Sequence, residues 1–141
     1  MTSSIDFLPT ILSVANSGIN NKGIYDGIDI SPLFSAEKEL INRDELYWHY
    51  PHYHLGSGME PASAIRWKNY KLIQWHEATI LNQEKQIELY NLKLDPAEEN
   101  DLSKIKPEIA ILMRNKLKKW MKDVNAKMPK VNRDMVIETK N

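Results

Sequence analysis

The chain has 141 residues, with 19 basic and 19 acidic side chains, and this length suits one domain that buries roughly 70% of its unfolded surface. The zero net charge offers no global positive field for nucleic-acid backbones or anionic membranes. No cysteine is present, which excludes disulfides, thiolate metal sites and a cysteine nucleophile. The longest apolar run, 109–113, is far below the ~20 residues of a membrane helix, and no signal peptide is visible. The composition therefore predicts a soluble chain.

The first predicted element is a helix whose first turn begins at Phe7. Asp6 can cap it, and Pro9 is tolerated because the N–H groups of a first turn have no partner within the helix. Apolar residues then recur at helical spacing and predict one buried face: Leu8, Ile11, Leu12 and Ala15. Gly18 is the predicted end of this helix.

Irregular structure is predicted between this helix and the first strand. Asp26-Gly27 is a turn signal. Residues 26–35 are predicted as an irregular buried connection, because Pro32 prevents a regular strand interior. Residues 36–44 are charged and predicted to be exposed.

Four strand-like runs follow. Residues 46–50 are rich in aromatic side chains, and Pro51 ends that run. Residues 64–67 and 70–75 flank Lys68-Asn69, which predicts a two-residue hairpin turn in which Asn69 can accept a positive φ. Residues 87–92 predict the fourth strand.

The last predicted element is a long helix opened by Pro107. Its apolar stripe consists of Ile109, Met113, Leu117, Trp120, Met121 and Val124. Burying each large side chain contributes ~1.5–3 kcal/mol, so the stripe should dock on the strands. The predicted fold is α+β, a small antiparallel sheet of about four strands packed by a long C-terminal helix. The first helix has no such partner, which predicts a burying surface outside these residues.

Three of the four histidines lie in the aromatic stretch 45–55. Three imidazoles could hold zinc and leave an open position, but strand geometry puts His52 and His54 on one face and His49 on the other. Contact with a polar ligand and a plain aromatic strand with surface imidazoles are the two alternatives. The residues alone leave the choice open.

Other candidate sites are weaker. The acidic segment 95–101 lacks the ligand spacing and the glycine of a calcium loop, so a solvated turn is the better interpretation. The lysines of the last helix could face an anionic partner, but a solvated face is favoured. Serines are present without a nucleophile elbow, and the five glycines never take the spacing of a phosphate-binding motif.

A family resemblance rests on segments that follow one another along nearly the whole chain. These are residues 4–12, 26–33, 46–53, 64–66, 69–73, 88–92, 95–96 and 99–102. In this order they resemble the C-terminal part of the sulfatase family, the arylsulfatase-like sulfuric ester hydrolases. For example, Asp26-Gly-Ile-Asp-Ile-Ser-Pro-Leu33 is similar to the family's Asp-Gly-x-Ser-Leu-x-Pro-Leu, whereas Lys68-Asn69 stands where the family often has Gly-Asp or Gly-Asn.

The resemblance implies a division of the chain and a missing partner. Residues 1–35 would be the terminal helix and connection of the sulfatase catalytic domain, and 36–141 the C-terminal subdomain. Family members convert the Cys or Ser of a Cys/Ser-x-Pro-x-Arg motif to formylglycine and bind calcium through Asp and Asn residues. This chain has neither feature, so the resemblance implies that an N-terminal sulfatase catalytic domain supplies them and that the chain alone hydrolyses nothing. It also implies a periplasmic, secreted or lysosomal parent enzyme.

Substrate-contact residues are implied in the same way, because loops of this subdomain rim the active-site cleft in the family. His52 is the first candidate for contact with a sulfated sugar or aryl sulfate, followed by Tyr53 and His49. Arg66 would point to the same rim, and no catalytic or metal-binding residue is assigned to the chain. The alternative is a non-catalytic module that binds sulfated glycans or another protein.

Overall fold

The computed structural model describes residues 1–17, 25–34, 41–54 and 56–130. These form two compact units, Met1–Asp44 and Glu45–Asn141. The predicted helix end at Gly18 and the predicted division between residues 35 and 36 both lie outside the described residues. In the described part of the chain, no helix is long and apolar enough to cross a membrane.

The first unit contains α1, Phe7–Val14, preceded by the 3-10 turn Ser4–Asp6. The helix starts where the sequence predicts, and it ends in a Schellman motif. In that motif the N–H of Ser17 donates to Leu12 O at 3.2 Å, and that of Asn16 to Ser13 O at 3.0 Å. Asn16 takes a left-handed φ of 47°, a role that asparagine fills when glycine is absent.

Asp6 has a different role from the predicted helix cap. It stands at the cap position, but its side chain makes no capping hydrogen bond to the helix. Its carboxylate instead accepts from the backbone N–H groups of Ser3 at 2.8 Å and Ile28 at 3.0 Å. Arg43 donates to both carboxylate oxygens, each at 2.7 Å. The Asp6 carboxylate therefore accepts from a buried guanidinium and two backbone N–H groups, which together are stronger than one capping bond at a solvent-facing helix end.

Gly27 is the residue that lets the connection approach the 3-10 turn. A Cβ built at Gly27 would lie 1.9 Å from the carbonyl oxygen of Ile5, so no other residue fits without moving the backbone. The Asp26-Gly27 signal thus marks a close backbone approach. Beyond it, Ile30 is buried, and Ser31–Leu33 forms a short 3-10 helix. The connection is irregular, as predicted, but among its described residues Ile30 alone is buried and the others are half-buried or exposed.

The apolar face of α1 is exposed within the chain. Phe7, Ile11 and Val14 are 62%, 62% and 68% exposed, and Leu8 is 50% exposed. Thr10 is the buried residue of the helix, where its hydroxyl donates to Asp6 O and accepts from the N–H of Ile30. The predicted stripe exists, but the described residues do not bury it.

The second unit is built on a four-stranded antiparallel sheet in the order β1-β2-β3-β4. The strands are β1, Glu45–Tyr50; β2, Ala62–Trp67; β3, Tyr70–Trp75; and β4, Ile87–Asn91. The register pairs His49 with Ser63 and Ile65 with Leu72. This confirms the predicted sheet and hairpin. In the turn, Lys68, with a φ of 53°, takes the left-handed conformation, and Asn69 does not.

Helix α3, Pro107–Asp123, crosses one face of this sheet, with proline in its first turn as predicted. The core between helix and sheet comprises Ile65, Leu72, Leu89, Ala110, Met113, Leu117 and Met121. Trp120 lies at its margin, stacked on Tyr47 with ring centroids 4.9 Å apart. Val124 belongs to the predicted stripe but is 53% exposed, because the helix has already ended at Asp123.

A short helix, α2, His76–Ile80, follows β3 directly. The sequence does not predict this helix, because five residues give too few turns for a periodic pattern. The hydroxyl of Thr79 donates to Trp75 O at 2.6 Å within this turn. α2 brings His76 close to His49 on β1 and Ser63 on β2, and it brings Glu77 close to Tyr53 in the connection between these strands.

Candidate functional site

The β1–β2 loop, residues 51–61, carries two of the four predicted contact residues, His52 and Tyr53. It is folded by its own hydrogen bonds: the N–H of His54 donates to Met59 O at 3.0 Å. The ring Nδ1 of His54 lies 3.2 Å from the N–H and 3.0 Å from the hydroxyl of Ser57. Gly58 adopts a φ of 66°, which glycine allows without strain. The imidazole of His54 therefore serves the loop itself.

His52 and Tyr53 are adjacent and exposed at the start of this loop. The ring of His52 stands edge-on to Tyr50, with centroids 5.9 Å apart. The hydroxyl of Tyr53 donates to the carboxylate of Glu77 on α2. This hydrogen bond is the largest cause that raises the pKa of Tyr53, to about 12, and it occupies the one proton of the phenol. The pair presents an imidazole and a neutral phenol side by side to solvent.

His49 points to the opposite side of β1, toward α3. Its Nδ1 lies 2.7 Å from Ser63 Oγ, and its Nε2 lies 2.9 Å from the carbonyl oxygen of Lys127. A carbonyl only accepts, so Nε2 carries a proton. Both ring nitrogens are thus used within the protein, and a ligand contact by His49 would have to replace one of these bonds.

Ser63 connects His49 to a second histidine. Ser63 Oγ lies 2.8 Å from Nε2 of His76, and the two imidazole rings are in edge contact, with centroids 5.5 Å apart. When His49 is neutral, its Nδ1 accepts from the serine hydroxyl, so His76 must donate through Nε2. Burial, followed by the nearby charge of His49, lowers the pKa of His76 to about 4. His76 is therefore neutral in the folded protein at physiological pH.

We expect this buried imidazole to make the second unit less stable in acid. The unfolded chain takes up a proton as pH falls below the ordinary pKa of 6.5, whereas folded His76 stays neutral down to about 4. The free energy of unfolding should fall across that interval and level off below it, by at most about 3 kcal/mol from this residue. Urea unfolding at pH 7 and pH 4.5 measures it. His76→Gln should reduce the difference in unfolding free energy between the two pH values, whereas His54→Gln, on the exposed loop, should leave that difference unchanged. Equal pH dependence in the unsubstituted protein and both variants would contradict the assignment of the effect to His76.

Arg66 lies apart from the other predicted contact residues. Its neighbours across the sheet are Leu46 and Lys71, so its side chain leaves the face opposite the one that α3 covers. It stands four residues along β2 from Ala62, where the loop ends, which is roughly 13 Å at the rise of a strand. Its Nε is buried and has no hydrogen-bond partner among the described residues. The structure thus brings His52 and Tyr53 together, and places His49 and Arg66 elsewhere.

Residues 63, 76 and 77 contact the predicted site residues His49 and Tyr53, and the sequence gives no signal for these contacts. His76 is the histidine outside the aromatic stretch, and only the register of β1 with β2 and the start of α2 bring it beside His49. Across the described ranges, no group of three or more histidine, aspartate or glutamate side chains is arranged to hold a metal ion. His49, His52 and His54 each have different surroundings.

Solved structures superpose on most of this fold. One solved relative, determined in complex with its substrate D-glucosamine-2-N,6-O-disulfate, superposes with a TM-score of 0.66 at 24% identity, covering 88% of this chain and 24% of its own. A 2-O GAG sulfatase superposes with a TM-score of 0.64 at 26% identity, covering 86% of this chain and 25% of its own.

Sequence comparison identifies the family. Residues 1–127 match the family described as N-sulphoglucosamine sulphohydrolase, C-terminal, and the chain belongs to this family. A protein named "Sulfatase" from Formosa agariphila is 30% identical over 136 residues, which cover 87% of this chain and 23% of that protein. The chain spans about a quarter of the length of these relatives, and the predicted relation to sulfatases is confirmed.

Proposed function

We propose that this region forms one wall of the substrate pocket of a sulfatase that hydrolyses sulfate esters. The observation that carries the proposal is the exposed pair His52 and Tyr53, with the Tyr53 hydroxyl oriented by its hydrogen bond to Glu77. The imidazole can donate to a sulfate or sugar oxygen, and the phenol oxygen, whose proton is engaged by Glu77, can accept from a sugar hydroxyl. Because Glu77 fixes the phenol, the pair is presented in one orientation.

The chemistry of sulfate-ester cleavage is proposed to come from a catalytic domain outside these residues. The sequence has no cysteine and no Ser-x-Pro-x-Arg motif. Since the described residues provide no metal-binding cluster, we assign calcium to that domain as well. The exposed apolar side chains of α1, with Phe7 and Ile11 both 62% exposed, are where such a domain would pack. Burial of surfaces this apolar is the usual driving force for association.

Two measurements test this proposal. The 141-residue chain alone should release no sulfate from aryl sulfates or sulfated saccharides, and turnover by it would overturn the assignment. A chimera that carries this chain in place of the matching region of the Formosa agariphila relative should release sulfate from that relative's substrates.

Within the chimera, we expect Tyr53→Phe and His52→Ala each to lower kcat/KM about tenfold, mainly through KM. His52→Ala removes a donor to a charged sulfate, a contact of about 1.5–3 kcal/mol, and Tyr53→Phe removes an acceptor for a sugar hydroxyl, a contact of about 0.5–1.5 kcal/mol. Lys118→Ala is the control, because that exposed side chain of α3 lies outside the β1–β2 loop. Unchanged kinetics in both test variants, with an active chimera, would exclude the pair from the pocket.

A further inference from the structure

A groove lies at the outer edge of β4, beside α3. None of its lining residues belongs to the β1–β2 loop, and its volume is about 610 Å³, within the range of ligand-binding pockets. Its basic side chains are Lys85, Lys104 and Arg114, and Gln86 and Ser103 add neutral polar groups. We call it the β4-edge groove.

The acidic side chains of the groove are already engaged. Asp101 Oδ1 accepts from the N–H groups of Leu89 at 3.0 Å and Ser103 at 2.8 Å, and its Oδ2 accepts from the Ser103 hydroxyl at 3.0 Å. Burial alone would raise the pKa of Asp101, but these backbone donors outweigh it and lower the pKa. Glu84 pairs with Lys104 at 2.6 Å, with side chains 85% and 81% exposed. A pair so exposed contributes little and can exchange its carboxylate for another anion.

Arg114 has donor capacity that the protein leaves unused. Its Nη2 donates to Gln86 Oε1 at 3.1 Å, while its Nε is buried with no partner among the described residues. A guanidinium offers five N–H donors in a planar fork that matches two-oxygen anions such as sulfate and carboxylate. Reorienting it toward a ligand would satisfy a donor that is costly to leave unpaired.

The edge of β4 is closed to an added peptide strand at its centre. The N–H of Leu89 is bound by Asp101, and its carbonyl oxygen accepts from the N–H of Leu102 at 2.7 Å. Recognition by strand addition needs those groups free. A ligand must therefore be bound by side chains. The groove offers cationic groups beside the amide of Gln86, the hydroxyl of Ser103 and the half-buried Ile87. That combination suits a ligand that carries both anionic groups and hydroxyls.

We propose that the β4-edge groove is a saccharide-binding site, separate from the β1–β2 loop, that holds a sulfated oligosaccharide. The identity of the ligand rests on the proposed sulfatase function, whereas the location rests on the groove alone. Arg114 and Lys104 bind sulfate groups, and Gln86 and Ser103 bond to hydroxyls. A site here would hold a polymeric substrate at a distance from the residues that contact the cleaved ester.

The test is a titration of the whole 141-residue chain followed by amide NMR. A heparin-derived tetrasaccharide should shift the amides of Gln86, Ile87 and Ser103 and the side-chain Nε signal of Arg114. Cellotetraose, which is neutral, and sodium sulfate, which has no hydroxyls, should bind at least tenfold more weakly. Equal binding of sodium sulfate or of a polyglutamate peptide would overturn the saccharide assignment.

Variants locate the site. Arg114→Gln should weaken tetrasaccharide binding about tenfold, as expected for loss of a charged hydrogen-bond donor. Lys104→Gln, on an exposed side chain whose loss cannot unfold the domain, should weaken it about threefold. Lys118→Gln removes the same charge from an exposed position of α3 outside the groove and should leave binding unchanged. No binding, or binding equally reduced by all three variants, would overturn the proposal.

The two proposals fail separately. Shifts confined to residues 52 and 53 would overturn the groove while supporting the pocket wall. Groove binding together with unaltered kinetics of the Tyr53→Phe chimera would support the groove and contradict the pocket wall.

Discussion

Asp6→Ala should unfold the first unit locally. The carboxylate is fully buried, and it is the acceptor for Arg43, whose side chain is 9% exposed, and for the N–H groups of Ser3 and Ile28. Removing one partner of a buried pair leaves an uncompensated charge and typically costs about 3–5 kcal/mol. Hydrogen exchange of the Ile28 and Ile30 amides should accelerate correspondingly, whereas the amides of β2 and β3 should keep their protection.

Two variants separate the parts of this network. Asp44→Ala removes the same charge from an exposed position and should change exchange little. The double variant Asp6→Leu with Arg43→Met removes both charges, which relieves the stranded guanidinium but leaves two backbone N–H groups without their acceptor. The double variant should recover part of the stability that Asp6→Ala loses. Full recovery would show that the hydrogen bonds from the Ser3 and Ile28 N–H groups contribute nothing to stability.

The stability of the first unit depends on pH for a different reason from that of the second unit. Here a buried carboxyl is stabilised in its charged form, whereas burial keeps His76 neutral. Burial would raise the pKa of Asp6, but the hydrogen bonds from Arg43, Ile28 and Ser3 outweigh it and lower the pKa to about 2. A depressed carboxyl pKa contributes stability above its ordinary value of 3.8, and this is lost as pH falls toward 2. Acid should therefore affect the histidine-linked unit first and the Asp6 network later.

The periodicity of apolar residues, together with the positions of prolines, predicts most of the fold. Alternating and aromatic-rich runs mark β1 to β4, and Pro107 with the stripe through Leu117 marks α3, because these signals are local and each element buries one face. Helices α1 and α3 are each followed by an asparagine with left-handed φ, Asn16 and Asn125, whereas the predicted end of the first helix is Gly18. Asparagine tolerates that conformation but is less specific for it, so the ends were less predictable than the starts.

The candidate site was less predictable, because it depends on register. The stretch 45–55 reads as one histidine cluster, yet Pro51 and the start of the loop separate His49, which bonds to Ser63 and Lys127, from exposed His52. His76 joins the network only through α2, which is too short to have a periodic signature. A buried hydrogen-bond chain of this kind joins residues 14 and 13 positions apart, a spacing with no sequence pattern of its own.

Leu117→Ala should destabilise the second unit by about 2–5 kcal/mol, because Leu117 is fully buried between α3 and the sheet and truncation leaves a cavity. Urea unfolding followed by tryptophan fluorescence measures the loss. Leu112→Ala is the matched control: the same substitution on the same helix, at a side chain 43% exposed, should cost well under half as much. Equal losses would contradict the packing.

The same variant connects the core to the proposed saccharide site. Arg114 precedes Leu117 by three residues, about one turn of α3. The packing of Leu117 on the sheet therefore also fixes the position of the Arg114 guanidinium relative to Gln86. In protein that remains folded, Leu117→Ala should therefore weaken tetrasaccharide binding in the β4-edge groove, while Leu112→Ala should not. Because α3 also precedes Lys127, whose carbonyl accepts from His49, the helix is the element through which sheet, histidine network and groove depend on one packed core.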